Sequence, residues 1–402
     1  MKISLLIEGF NSLSMHAQPW KHVREIGKRM IPLGNNVEIW TDGSRQSMIR
    51  EEVDGMQIRR LKKGRLFFDF EELLHTLNES DVDMINWLSG PLSSTYFRKY
   101  QRSLKKPIVW TVYKGPISLS ELRNLSPREL ALLHQFHGNI QYSLMPKFLI
   151  RRGGNIPQIK FIITWTERLK RYFLRLGVQR EKTVVIPSGV DTEVFRQRSE
   201  REISLFKENL GFTADDEIML YFGLPSTFRG IDIVLATFRR LKEVRPKAKL
   251  VLLFREPRRD VSKEVSDVPH EEAEHGDSVI IERGIQTQEN LAKFLSIANL
   301  VVLPFKFWPH VDCPLTVLEA MAVGRPVITT NVGSLPEFVQ DHETGVIAKP
   351  NPEAVFDAAL ELLSSEALSE KIGKKASDHI QKNYSWDLIV KRTLETFEKG
   401  LD

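Results

Sequence analysis

Short runs of β-branched and other apolar residues recur along the chain, each followed by a longer stretch in which apolar positions return every three or four residues. The short runs have the length of buried strands and the longer stretches the period of amphipathic helices, so the pattern predicts parallel sheets covered by helices. In the first half the candidate strands are KISLLIE (2–8), NVEIWT (36–41), MQIRRL (56–61), DMINWL (83–88), PIVWTVY (107–113), KFIITW (160–165) and TVVIPS (183–188). In the second half they are EIMLYFG (217–223), KLVLLF (249–254), SVIIERG (278–284), NLVVLPF (299–305), PVITT (326–330) and TGVIA (344–348). Each half reads as a doubly wound α/β unit, and two such units facing each other make a cleft walled by strand ends.

The length of 402 residues suits two domains. The polar stretch DTEVFRQRSEREI (191–203) falls between a strand and a helix, which assigns 1–190 to one domain and 191–384 to the other. The last segment, 385–401, carries Trp386, Ile389, Val390, Leu394 and Phe397 at helical spacing and has no strand after it, so it is free to pack on either domain.

Composition adds an asymmetry. The 57 Lys+Arg and 52 Asp+Glu give a net charge of +5, but residues 1–190 hold 30 basic and 17 acidic side chains, leaving 27 and 35 for 191–402. One half is therefore at +13 and the other at −8, so they face different partners or each other. The single cysteine, Cys313, excludes an intramolecular disulfide, and without a Cys cluster nothing points to structural zinc. The opening MKISLLIEGF is too short an apolar run for a signal-peptide core, and no stretch of about 18 uncharged apolar residues follows. The expectation is a cytoplasmic protein that meets a membrane at most from its surface.

Candidate chemistry lies at 312–337, DCPLTVLEAMAVGRPVITTNVGSLPE. Pro314 suits the first turn of a helix that runs through LTVLEAMA and stops at Gly324 before the strand PVITT. A helix starting there aims the N–H groups around Pro314, Leu315 and Thr316 at the end of the preceding strand, a natural phosphate site. Glu319 follows about one and a half turns in, where a carboxylate can accept hydrogen bonds from a ribose diol.

Together with ITWTERLKRYFLRLG, VVIPSGVDTEVF, YFGLPSTFRGIDIVLATFRRL and HETGVIAKP, in this order and spacing, these residues resemble the retaining glycosyltransferases of family 4. The resemblance covers roughly 160–350 and implies the GT-B fold, two facing Rossmann-like domains with the final helix crossing back to the first. It further implies a nucleotide-sugar donor held mainly by the second domain, with no metal and no separate cofactor. By resemblance, Glu319 is the second glutamate of the Glu-(seven residues)-Glu motif and binds the ribose. Arg229, in FRGID after Gly223, takes the place of the cation that neutralises the donor diphosphate, and Arg283 and Gly284 lie beside the base.

The sequence departs from the family pattern on the sugar side of the cleft. Position 311, where the first motif glutamate belongs, is valine, and Asp312 is the nearest carboxylate. The expected Gly-Arg-Leu reads Gly223, Leu224, Pro225, which removes one phosphate-binding arginine; Arg255, in Arg255-Glu256-Pro257 where a glycine-rich turn is usual, is the candidate substitute. The glycine pair of the first strand–helix loop falls on Ala17 and Gln18, and Tyr113, followed by Lys114 and Gly115, stands for a histidine close to the transferred sugar. His16 is placed to fill part of that space. The catalytic expectation therefore rests on Asp312, His16 and Tyr113. Cys313 reads as a small apolar loop residue. The triplet DVD (81–83) leads into a strand on the wrong side of the sheet for a metal.

The reaction these features imply moves a hexose from a UDP- or GDP-sugar to a lipid-linked or polysaccharide acceptor. The basic half is the acceptor side. RRLKKGRLFF (59–68) and YFRKYQRSLKK (96–106) interleave cations with aromatic residues, a composition suited to anionic headgroups. A half at +13 also permits nucleic acid, but no binding motif supports it. The alternative is a catalytically impaired GT-B protein that binds a glycan or a partner.

Overall fold

The computed structural model describes all residues except 12–13, 44–50, 65–67, 118, 134–136, 256–277, 285 and 308–311. Arg65, Leu66 and Phe67 of the first basic stretch, Glu256 and Pro257 after Arg255, and Val311 lie outside the described residues.

The first sheet contains β1 (Lys2–Leu6), β2 (Asn36–Gly43), β3 (Glu51–Val53), β4 (Met56–Lys62), β5 (Met84–Leu88), β6 (Ile108–Val112), β7 (Ile159–Thr164) and β8 (Thr183–Val185), in the order 3-4-2-1-5-6-7-8. The second contains β9 (Glu217–Gly223), β10 (Ala248–Phe254), β11 (Val279–Arg283), β12 (Leu300–Val302), β13 (Val327–Thr330) and β14 (Val346–Ala348), in the order 11-10-9-12-13-14. Every predicted run contains a strand. Pairing is parallel except where β3 runs antiparallel to β4. That strand was not predicted. It is short and exposed, but its turn Asp54–Gly55, with both residues at positive φ, is the strongest two-residue hairpin signal a sequence carries.

Both faces of the first sheet are covered, as the alternation along β1 requires: Ile3 and Leu5 enter one apolar cluster and Leu6 the other. The helix Trp20–Met30 covers the first of these faces, and so does the helix Trp386–Leu401, whose Trp386, Ile389, Val390 and Phe397 join Ile3, Leu5, Val23 and Ile26. The chain thus passes between the halves twice, and the passages touch: Val190 N–H donates to the Tyr384 carbonyl (2.8 Å) and Trp386 N–H to the Val190 carbonyl (3.3 Å). Gly189 lies beneath the Trp386 ring, where a Cβ would stand 2.6 Å from the indole.

The two basic stretches do not present their aromatic residues as expected. Phe68 and Phe97 are buried, and Tyr96 and Tyr100 stack on Phe70 at 3.9 and 5.5 Å, because apolar rings beside a sheet lose less by packing than by facing water. The triplet 81–83 sits at the amino edge of the sheet, where Asp81 accepts from Lys2 Nζ (2.5 Å) and Asp83 from the Lys2 backbone N–H (2.7 Å).

Trp386 is 2% exposed. Trp386→Ala should cost about 3–5 kcal/mol, read as a lower urea midpoint by tryptophan fluorescence and circular dichroism. An unchanged midpoint would remove this helix from the core of the first sheet.

Candidate active site

The wall contributed by the second half is built on strand ends that finish level. Gly223, Phe254 and Arg283 share one register across β9, β10 and β11; Arg255 N–H donates to the Gly223 carbonyl and Gly284 N–H to the Phe254 carbonyl, both at 2.9 Å. Gly223 has φ 130°, and a Cβ there would lie 2.7 Å from Arg229 Nη1. Only glycine accepts both that backbone and the guanidinium beside it. Arg229 closes the turn Thr227–Arg229 and lies 5.6 Å from the Phe305 ring. Burial pulls its pKa below the usual arginine value and the charge of Arg255 acts the same way, against the influence of Tyr221. Arg283 is exposed over the Phe254 ring at 5.4 Å.

Three helices of this half begin at the same edge without a side-chain cap: Ile231–Val244, which follows Arg229 and Gly230, Leu315–Ala322, which follows Pro314, and the single turn Leu335–Phe338. The helices Glu200–Asn209, Gln288–Ile297, Pro352–Ser364 and Glu366–Tyr384 are capped by Ser199, Thr287, Asn351 and Ser365. Uncapped starts leave N–H donors for something else. In the first turn of Leu315–Ala322, Thr316 Oγ1 is buried without a hydrogen-bond partner. Glu319 is 6% exposed and receives Lys21 Nζ of the opposite half at 2.8 Å.

The facing wall comes from loops at the carboxyl ends of β1, β6, β7 and β8. His16 is exposed, and its carbonyl accepts from Arg255 Nη2 at 3.1 Å across the cleft. Desolvation, with Arg24, Arg255 and Lys21 adding to it, lowers the imidazole pKa and keeps the ring neutral near pH 7. Gln18, in place of the expected glycine, donates to Ser188 Oγ at 2.9 Å and ties the first loop to the inter-half connection. His22 Nδ1 lies 3.2 Å from the same hydroxyl, and burial pushes its pKa down to about 3.

Tyr113 packs toward Trp165 at 5.7 Å, and burial raises its phenol well above the usual range, so it stays protonated. Its carbonyl accepts from Asp312 N–H (2.9 Å), which brings these two predicted residues together. The Asp312 carboxylate is turned to the first half: Thr166 Oγ1 donates to it at 3.1 Å, Arg168 Nη1 lies 3.8 Å away, and a Cβ on Gly115 would stand 3.2 Å from both carboxylate oxygens. An acid only 3% exposed needs such partners. Ser334 Oγ donates to the Asp312 carbonyl, which fixes the loop. Burial raises the Cys313 thiol, whose Sγ approaches the Ser188 carbonyl at 3.9 Å, a packed and unreactive setting.

The predicted residues therefore form two groups. Gly223, Arg229, Arg255, Glu319 and His16 gather with the Pro314–Thr316 helix start; Tyr113 and Asp312 gather with Thr166 and Arg168. Arg283 ends β11, the edge strand of its sheet, and Gly284 follows it. Sequence reasoning missed Lys21, Thr166 and Arg168, although a lysine in the first turn of a helix that has no acidic residue there is a legible anomaly. Among the described residues, no group of three or more His, Cys, Asp or Glu is arranged to hold a metal ion.

Burial pushes the Asp312 carboxyl from its ordinary 3.8 to about 6, against the influence of Arg168 and Thr166. An acid with a raised folded-state pKa takes up a proton on folding between those values, so the stability it supplies falls as pH rises through about 4 to 6. Compared with Asp312→Asn, the wild-type urea midpoint should fall across this window. A constant difference between the two from pH 4 to 7 would contradict the burial.

Two family models match. Glycosyltransferase Family 4 covers residues 20–194 and glycosyl transferases group 1 covers 202–379. An uncharacterized glycosyltransferase of Methanocaldococcus jannaschii is 26% identical over 247 residues, 60% of either chain. The lipopolysaccharide 1,2-N-acetylglucosaminetransferase of Salmonella typhimurium is 26% identical over 225 residues, 54% of this chain and 57% of its own. The match thus spans about 60% of the length of these curated relatives. In fold, sucrose-phosphate synthase of Thermosynechococcus elongatus superposes with a TM-score of 0.72 at 22% identity, over 99% of this chain and 98% of that one. Anabaena HepE in complex with UDP gives 0.73 at 15% identity, over 99% and 100%. With one family model on each half and the two-sheet architecture shared end to end, the chain belongs to the family 4-like glycosyltransferases of GT-B fold.

Proposed function

We propose that the protein is a retaining glycosyltransferase that moves a hexose from a UDP- or GDP-sugar to a lipid-linked or polysaccharide acceptor. One observation carries the reading: Arg229, Arg255 and an uncapped helix start with the unpartnered Thr316 hydroxyl converge on one wall, and Glu319 follows three residues later. At 1.5 Å rise per residue that offset is about 4.5 Å, which suits two neighbouring parts of one nucleotide, the diphosphate and the ribose. The UDP in the HepE structure and the sugar transfer named for the Salmonella relative support the same chemistry.

In such a transfer the acceptor hydroxyl attacks the anomeric carbon from the face that the nucleotide leaves, and the departing phosphate takes the hydroxyl proton. The protein's task is to stabilise charge on the diphosphate and on the cationic sugar. Arg229, Arg255 and the helix start serve the first need. Gly223 lets the backbone come close, and Arg283 with Gly284 flanks the base. Neutral His16 faces the sugar as a hydrogen-bonding group. Asp312 and Tyr113 act as positioning residues that hold the 113–115 loop against the donor loop. Rotation about the paired passages 189–191 and 384–386 closes the site and excludes water.

The non-catalytic alternative draws on the ion pairs that already occupy Glu319 and Asp312. Release of free nucleotide from UDP- or GDP-sugars on addition of acceptor, measured against a no-enzyme control, separates the two. For binding itself, one of UDP, GDP or ADP at 100 times its Kd should stabilise the fold by about 2.7 kcal/mol in a thermal-shift panel. Glu319→Ala and Arg229→Ala should each weaken that nucleotide about tenfold or more, since hydrogen bonds to charged groups contribute about 1.5–3 kcal/mol. A midpoint unmoved by every nucleotide removes the donor site, and unaltered affinity in both variants removes the residue roles.

Docking at an anionic membrane surface belongs to the same reading. No helix among the described residues is long and apolar enough to cross a membrane. Support comes from Leu144 and Phe148, 78% and 54% exposed, beside Lys147, Arg151 and Arg152. Vesicles rich in anionic lipid should sediment the protein at low salt and release it at high salt. Failure to bind at low salt, or binding indifferent to salt, removes this part.

A further inference from the structure

Lys21 stands in the first turn of the Trp20–Met30 helix, where a positive charge opposes the helix dipole and no acidic side chain balances it. Its side chain is 15% exposed, and its ammonium meets Glu319 Oε1 at 2.8 Å across the cleft. The position costs its own helix stability, and the partner is the carboxylate assigned above to the ribose.

The surroundings are cationic. Lys21 and Arg255 both depress the pKa of His16, the Arg255 guanidinium reaches the His16 carbonyl, and Arg255 in turn depresses Arg229. Arg229 and the Arg255 backbone both lie against Gly223, the Arg255 guanidinium reaches across to the His16 carbonyl, and Lys21, five residues after His16, ends on Glu319, so cations stand on both walls. The family pattern expects another cation here, and its place is taken by Leu224.

We propose that Lys21 is a donor-binding residue supplied by the opposite half: it pairs with Glu319, and when a ribose takes that carboxylate the ammonium passes to the diphosphate beside Arg229 and Arg255. The inference rests on the ribose reading of Glu319. The move is short. Thr316 lies about 4.5 Å along the helix from Glu319, and a lysine ammonium on its four-carbon stem sweeps such a distance without backbone change. A nucleoside alone would have to break the Lys21–Glu319 pair and leave the ammonium without a new anion. A nucleoside diphosphate supplies that anion, so the exchange favours the diphosphate over the nucleoside and draws the two halves onto one ligand.

Calorimetric titration of UDP and uridine, GDP and guanosine, and ADP and adenosine, into wild type, Lys21→Met, Lys21→Gln and Lys21→Arg tests this, with circular dichroism confirming the fold of each. The neutral variants should bind the preferred diphosphate about tenfold more weakly and its nucleoside equally or more tightly, while Lys21→Arg stays close to wild type. The salt dependence of diphosphate binding should flatten in the neutral variants. Equal changes for nucleoside and diphosphate, or a diphosphate affinity that does not fall, overturn the role of Lys21. If Glu319→Ala leaves both ligands unaltered, or wild type binds no nucleotide, the donor site itself fails and Lys21 with it. A Glu319→Ala effect alongside parallel changes in Lys21→Met condemns Lys21 alone.

Discussion

The cleft buries carboxylates from one half, and a carboxylate taken out of water needs a cation or hydrogen-bond donors close by. The other half supplies them. Glu319 meets Lys21 at 2.8 Å, Asp312 meets Thr166 at 3.1 Å and Arg168 at 3.8 Å, and Asp191 at the connection meets Arg29 at 2.9 Å. Glu337 accepts from the first backbone N–H groups of the Glu167–Arg175 helix, adding an anion from one half to a helix start of the other. The charge contrast between the halves is thus partly consumed where they meet. The pairs at Asp312 and Glu319 matter most, since both acids are nearly excluded from solvent, whereas an exposed pair such as Arg171–Glu337 contributes little.

The proposed anionic donor would meet an acidic half, which can hold it only by local means. Three level strand ends, a glycine that admits a guanidinium against the backbone, and two helices that start without caps create a positive spot inside a unit of net negative charge. Such a spot selects by geometry, because the surrounding field does not draw anions in from a distance. The other half sets its own cations, Lys21 and Arg168, against the acids of this wall.

The strands and both sheets are legible because buried parallel strands are written as continuous apolar runs; Pro314 and Glu319 stand out from one local strand–loop–helix pattern, whereas Gly223 and Arg229 are singled out only by the family resemblance. What was not legible depends on distance along the chain. Lys21 meets Glu319 across 298 positions and Arg168 meets Asp312 across 144, and no local period encodes either meeting. The local sequence around Asp312 likewise says nothing of Thr166 and Arg168, the partners its buried carboxylate finds. The charged neighbours of Phe97, Tyr96 and Tyr100 suggest a surface, but Phe97 is buried and Tyr96 and Tyr100 stack on Phe70. The hairpin at Asp54–Gly55 is encoded in its turn but not in its first strand, EEV, which has too little apolar character to register as one.

The helix Trp386–Leu401 finishes an apolar cluster that begins with Ile3. During synthesis the first sheet therefore emerges from the ribosome long before one of its own packing partners is made. The second half, whose cluster draws on residues from Trp165 to Ile380, can close earlier. The order of completion is then the reverse of the order of translation, and the half built on the first sheet waits, with an apolar groove uncovered, for the helix Trp386–Leu401.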